Sequence, residues 1–208
     1  MSKNMNFYLY QKALIRTDGD YMCETLNKLH NMSAEDILTK TGQLNQVPVN
    51  LDAILDNLKI IKVGTSFDFL EQSDEFKDLG EISGLVLLNG NDVGIFYKEK
   101  DSLHRRRFTV AHELGHCCLH GDSLQDGYVE FRNNSNNGSV KEIEANTFAG
   151  ELLIPKHSLN NIINRLVKPS ITALAEIFEV SLPVMRGRLE LLKIPYYDDI
   201  LDKIIVPE

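Results

Sequence analysis

Two histidines four residues apart, His112 and His116, enclose Glu113-Leu114-Gly115. On an α-helix that spacing puts both imidazoles on one face, one turn apart. From there both can reach one tetrahedral ion, zinc above all, with ring nitrogens at about 2.0–2.1 Å. Glu113 directly follows the first of them, where a carboxylate can exchange a proton with a water at the ion without ligating it. Hydrolysis by a zinc enzyme is the chemistry this pattern serves. The competing reading is an amphipathic helix with two internally satisfied histidines.

A catalytic zinc usually takes three protein ligands and keeps one position open. One solution puts a third histidine ten residues after the first, but that position is Asp122. His120 follows His116 by four, yet it lies about 12 Å along the axis from His112 at 1.5 Å per residue, too far to share an ion from one straight helix. His120 is read as a histidine favoured by the dipole at a helix C-terminus. The other solution takes a glutamate from a second helix. Glu142 and Asn146 stand four apart on one face; the first can ligate, and the second can fix the tautomer of a ligating imidazole. Glu144 is the rival ligand, about 200° round the helix from Glu142. Ser139-Val140-Lys141-Glu142 also reads as a capping box. Glu142 is preferred as the third ligand.

These side chains need two helices to hold them. Leu103 to Leu119 carries Phe108, Val110, Ala111, Leu114 and Leu119 as its apolar set, with Asp101 or Ser102 as N-cap and Gly121 as C-cap. Ser139 to Leu153 is the second helix. Ser139 caps it, Val140, Ile143, Phe148, Leu152 and Leu153 are apolar, and Pro155 stops the run.

Phe108-Thr109-Val110-Ala111-His112-Glu113-Leu114-Gly115-His116, followed by Glu142-Ile143-Glu144-Ala145-Asn146-Thr147-Phe148-Ala149-Gly150-Glu151-Leu152-Leu153-Ile154-Pro155, closely resembles the ImmA/IrrE family of metallopeptidases. The resemblance covers roughly residues 45–195 and leaves out the first 40. It implies a thermolysin-like protease reduced to a minimal catalytic helix pair, with the glutamate four before the Asn/Asp, here Glu142, as third zinc ligand. It also implies the substrate class: a partner transcriptional repressor carrying a helix-turn-helix, in phages and mobile elements, cleaved so that gene expression is released.

The composition, 43% hydrophobic and 25% charged over 208 residues, is that of an ordinary globular chain. No run of eighteen apolar residues offers a membrane span, and the N-terminal residues lack the apolar core of a signal peptide. Three cysteines, two of them adjacent, do not make a disulfide framework, so a reducing cytoplasm is expected. Cys117 and Cys118 are read as small core residues. A net charge of −8 argues against sequence-independent binding to a phosphate backbone. The one basic cluster, His104-Arg105-Arg106-Arg107, is either a solvated first turn or a clamp for an acidic substrate segment.

Elsewhere, Tyr21 to His30, a segment after the N-cap Ser33 ending at Gly42, and Asn50 to Leu58 read as helices. Lys59 to Val63, Gly84 to Leu88 and Val93 to Tyr97 read as strands, the last two joined by the turn Asn89-Gly90-Asn91-Asp92. Gly121 to Ser139 is a long loop between the ligand-bearing helices, with a short extended segment expected at Tyr128 to Phe131. Helices follow at about His157 to Val167, Ile171 to Phe178 and Leu182 to Leu192. The last two resemble a helix-turn-helix, with Arg186, Arg188 and Lys193 as basic side chains. A packed helical subdomain is the preferred reading there, and direct DNA binding the weaker one.

The expected fold is therefore α+β: a small, mostly antiparallel sheet on a two-helix zincin core, with a C-terminal helix-turn-helix-like subdomain. Three segments are expected: an N-terminal helical extension (1–45), the metallopeptidase core (46–156) and the helical subdomain (157–208). The expected function is a zinc endopeptidase in which His112, His116 and Glu142 hold Zn²⁺, Glu113 is the general base and Asn146 orients an imidazole. It acts on one partner repressor. The alternative is a non-proteolytic, antitoxin-like binding protein that keeps the zinc fold.

Overall fold

The computed structural model describes residues 23–71, 82–124, 139–166 and 169–207. The extended segment expected at Tyr128 to Phe131 lies outside the described residues, as do residues 1–22.

The described residues begin with α1 (Glu24–Leu29), α2 (Ala34–Lys40) and α3 (Leu51–Leu58). Their starts follow from local chemistry. The Ser33 hydroxyl accepts from the Asp36 N–H while the Asp36 carboxylate accepts from the Ser33 N–H. Asn50 caps α3 through the Ala53 N–H. Each helix turns apolar side chains inward, among them Leu26, Ile37, Leu38, Ile54 and Leu55.

Strands β1 (Ile60–Thr65), β2 (Gly84–Asn89) and β3 (Asp92–Lys98) make one sheet in the order β1-β3-β2, with the short helix α4 (Asp68–Glu71) after β1. The tight turn after Asn89 makes β2 and β3 antiparallel, with Gly84 opposite Tyr97 and Asn89 opposite Asp92. β1 runs parallel to β3, pairing Ile60 with Val93 and Thr65 with Lys98. The sheet is thus mixed, with β3 in the middle.

Across β2 and β3 lies α5 (Leu103–Leu119), capped by the Ser102 hydroxyl on the Arg105 N–H. It ends at Leu119 as expected, but His120 rather than Gly121 is the C-cap, and a 3-10 turn over Gly121–Leu124 follows. α6 (Val140–Leu153) packs along α5, with Ser139 as its N-cap. A Cβ at Gly115 would stand 3.2 Å from Phe148 Cδ1 and 3.3 Å from the Ala145 carbonyl oxygen. Glycine there lets the two helices approach closely enough for side chains of both to meet at one point.

α7 (Lys156–Ile163) is shorter than the sequence suggests. Arg165 and Leu166 donate back to Ile162 and Ile163, so the last turn tightens and the helix ends. α8 (Ile171–Phe178) and α9 (Leu182–Leu191) follow, and Glu179 in left-handed conformation (φ 52°) closes α8. A two-stranded antiparallel ribbon, β4 (Tyr196–Asp198) and β5 (Lys203–Ile205), comes last. One apolar core runs from Leu26 and Leu55 through Ile95, Leu114 and Leu152 to Phe178 and Leu189. Among the described residues no helix is long and apolar enough to cross a membrane.

Candidate metal centre

The middle of α5 is buried on all sides. From Thr109 to Cys118 every residue is inaccessible, including His112, Glu113 and His116, each 1% exposed. Burying a polar group without a partner costs about 1–3 kcal/mol, and more for a charge. What those groups meet therefore decides their role.

The two imidazoles point their Nε2 atoms at one place, 2.9 Å apart. Glu142, from the first turn of α6, brings Oε1 to 3.1 Å from His116 Nε2 and Oε2 to 3.4 Å from His112 Nε2. His112, His116 and Glu142 are the one metal-competent group among the described residues, with ligand atoms all within 4.8 Å. Glu144, the rival ligand, instead sets Oε2 2.9 Å from His120 Nε2. Asn146, one turn after Glu142, holds Oδ1 3.0 Å from His112 Nδ1. An amide oxygen only accepts, so the His112 proton sits on Nδ1 and leaves a lone pair on Nε2.

This arrangement fits a cation. The Nε2 lone pair of His112 and the oxygens of Glu142 converge on the space in front of His116 Nε2, and Glu142 Oε2 is buried without accepting a hydrogen bond. Ligands at 2.0–2.1 Å from a tetrahedral ion lie about 3.3 Å from each other, and the separations here run from 2.9 to 3.4 Å. Burial alone would raise the Glu142 carboxyl. The two imidazoles that face it, when they carry protons toward it, outweigh burial and hold it well below the usual carboxylate range.

Glu113 has its own seat. A Cβ at Gly84, the first residue of β2, would lie 2.7 Å from Glu113 Oε1 and 2.4 Å from Thr109 Cγ2. The bare glycine backbone makes the space in which the Glu113 carboxylate sits. Sequence reasoning missed this residue, and it read His120 only as a helix-end histidine. The His-x3-His-x3-His spacing was the available signal for His120, since it stacks all three rings on one face.

The basic cluster is divided. Arg105 donates to Ser83 Oγ at 2.9 Å and pairs with Asp101 at 3.0 Å. With His104 it lines a cleft of about 840 Å³ between the start of α5, α6 and α9, which also reaches Phe108, Asn146 and Arg188. Arg106 and Arg107 line a separate cavity with Lys62 and Tyr97. Of the three basic side chains expected of a recognition helix, Arg186, Arg188 and Lys193, the two arginines are engaged within the fold. Arg186 pairs with Asp198 at 2.9 Å, and buried Arg188 donates to Glu151 Oε1 and the Ile154 carbonyl, both at 3.2 Å. Cys117 and Cys118 are buried free thiols. Burial pushes Cys118 up to about 12, against the pull of Lys40, and Cys117 well above its ordinary value.

No curated protein matches the chain significantly. A family model does: that of the IrrE N-terminal-like domain, a peptidase domain, over residues 82–190. That span is more than half of the chain and takes in β2, both helices of the metal-competent group, the Gly84 seat and the cleft. The chain belongs to the ImmA/IrrE family of metallopeptidases.

Proposed function

We propose that this protein is a zinc-dependent endopeptidase that cleaves one partner protein, a helix-turn-helix transcriptional repressor, and so relieves repression. His112, His116 and Glu142 hold the ion. Asn146 fixes His112 in the tautomer that presents Nε2. A bound zinc ion supplies Lewis acidity, lowering the pKa of a water toward ~7 and polarising the scissile carbonyl. Glu113 accepts the proton released as water attacks that carbonyl and delivers it to the leaving amine.

The observation that carries this reading is the converging donor set together with a further buried carboxylate, Glu113, adjacent to His112 in the chain and lodged against Gly84. A purely structural metal site has no use for that second carboxylate.

A selective protease accounts best for the charge pattern. The chain carries −8 overall, which suits docking onto a basic DNA-binding partner. Among the described residues, the charged or ionisable side chains lining the cleft are His104, Arg105 and Arg188, with no carboxylate. The cleft therefore suits a neutral or acidic stretch of the bound partner. The internal pairing of Arg186 and Arg188 supports the reading of α8 and α9 as a packed subdomain that walls the cleft.

Co-expression with a candidate helix-turn-helix repressor, sought among the neighbouring genes, tests the proposal. Wild type should produce one or a few defined repressor fragments, and Glu113→Gln none, while casein is cut slowly or not at all. Loss of repressor at the wild-type rate in the Glu113→Gln strain would remove Glu113 as the base. Rapid, indiscriminate digestion of unfolded proteins would overturn the selectivity.

A further inference from the structure

The two ligating imidazoles are braced differently. His112 is held in one step, by Asn146. His116 is held in two: its Nδ1 lies 3.0 Å from His120 Nδ1, and His120 Nε2 lies 2.9 Å from Glu144 Oε2. The His116 and His120 rings stand 5.1 Å apart between centroids, tilted by 49°. Both are buried, whereas the Glu144 side chain is about half exposed.

The protons along this chain can be placed in one way. To ligate through Nε2, His116 must be neutral and carry its proton on Nδ1. That N–H points at His120 Nδ1, which must then be a bare acceptor. The proton of neutral His120 is therefore on Nε2, facing the Glu144 carboxylate, which accepts it. Each group specifies its neighbour's tautomer, and the ionised carboxylate anchors the series. The alternative, with protons reversed, would set N–H against the ion and a lone pair against a carboxylate.

We propose that His120 and Glu144 are positioning residues that fix the tautomer and ring orientation of His116 toward the metal, an inference that rests on the ligand set proposed above. The placement suits the task. Asn146 lines the cleft, but neither His120 nor Glu144 does, so His116 is braced from the side away from substrate. The relay also gives Glu144 a role that its spacing from Glu142 leaves open: two residues on, it points away from the ion and toward the C-terminal end of α5.

The test compares wild type with His120→Ala, His120→Asn and Glu144→Ala. Three readouts are taken at one fixed pH: zinc affinity by chelator competition, the visible spectrum of the Co²⁺-substituted protein, and the His116 tautomer in metal-free protein by long-range ¹⁵N–¹H NMR. Wild type should show His116 as the Nδ1–H tautomer with no metal present. His120→Ala should lose that single tautomer, change the Co²⁺ spectrum and weaken zinc binding by about 10–100-fold. His120→Asn offers an amide oxygen in the place of His120 Nδ1 and should recover most of the affinity. Glu144→Ala should weaken binding less, because its carboxylate is screened by solvent.

A folded His120→Ala with wild-type affinity and an unchanged His116 tautomer would overturn the relay. So would a folded His120→Asn no better than His120→Ala, since the loss would then lie in packing. Failure of the ligand set itself reads out separately, as wild-type protein that binds neither Zn²⁺ nor Co²⁺.

Discussion

The helix pair α5–α6 and the helix α9 with its surroundings both bury ionisable side chains, and they finish them in opposite ways. Around α9 the two arginines and Asp198 are each closed by partners within the fold. Arg188 spends Nε on the Ile154 carbonyl and Nη1 on Glu151, and Asp198 takes Arg186 on one oxygen and the N–H groups of Ile200 and Leu201 on the other. Between α5 and α6 the donors are used up behind the rings, on Asn146 and His120, and the atoms in front converge on one another. A closed network of this kind stabilises a fold; one whose acceptors converge has room for a ligand. Sequence alone separates the two regions by residue type, reading a metal site in one and a packed subdomain in the other, but it does not show how each charge is finished.

The comparison breaks most sharply at the ligands. His112→Ala or His116→Ala should abolish stable zinc binding and hydrolysis together, as read by metal content after reconstitution; tight retention of zinc by both variants would mean that the ion sits elsewhere. Next in size is Glu113→Gln. It should keep one zinc per chain and lose about 10²–10⁴-fold in hydrolytic rate, the usual contribution of a positioned acid–base group. Simultaneous loss of zinc would show Glu113 to be a ligand instead.

Gly84→Ala probes the seat of that carboxylate. The new methyl group would meet Thr109 Cγ2 at 2.4 Å and Glu113 Oε1 at 2.7 Å. The expected result is a rate lower by about 10- to 100-fold with zinc affinity kept, since a displacement of 1 Å at the reacting groups can cost that much. Wild-type turnover in Gly84→Ala would show that Glu113 has slack there. The smallest effect belongs to the closed region. Arg188→Met keeps the buried stem and removes the guanidinium, leaving the Ile154 carbonyl short of a donor. Stability should fall by about 1–2 kcal/mol in a denaturant titration, with zinc content unchanged. A loss of zinc in this variant would tie the two regions together.

Much of the site is legible in the sequence because helix geometry is local. Ser102 and Ser139 cap the two helices as their positions suggest, and His112, His116, Glu142 and Asn146 meet because each pair is one turn apart on its helix. What is not legible depends on contacts between distant elements. Gly84 lies on a strand in another part of the chain, and only the packing of β2 on α5 shows why it lacks a side chain. His120 and Glu144 find each other across the α5–α6 interface, whose rotation no spacing within one helix determines. The parallel pairing of β1 with β3 is of the same kind: the β2–β3 turn is visible in Asn89-Gly90-Asn91-Asp92, while the third strand is placed by the core it covers.

The central claim is that three side chains from two helices make one zinc site. Anomalous diffraction at the zinc edge from crystals of reconstituted protein tests it most directly. One peak per chain should appear, about 2.0–2.2 Å from His112 Nε2, His116 Nε2 and a carboxylate oxygen of Glu142. A peak bonded to Glu144 in place of Glu142, or no peak between the two histidines, would contradict the account.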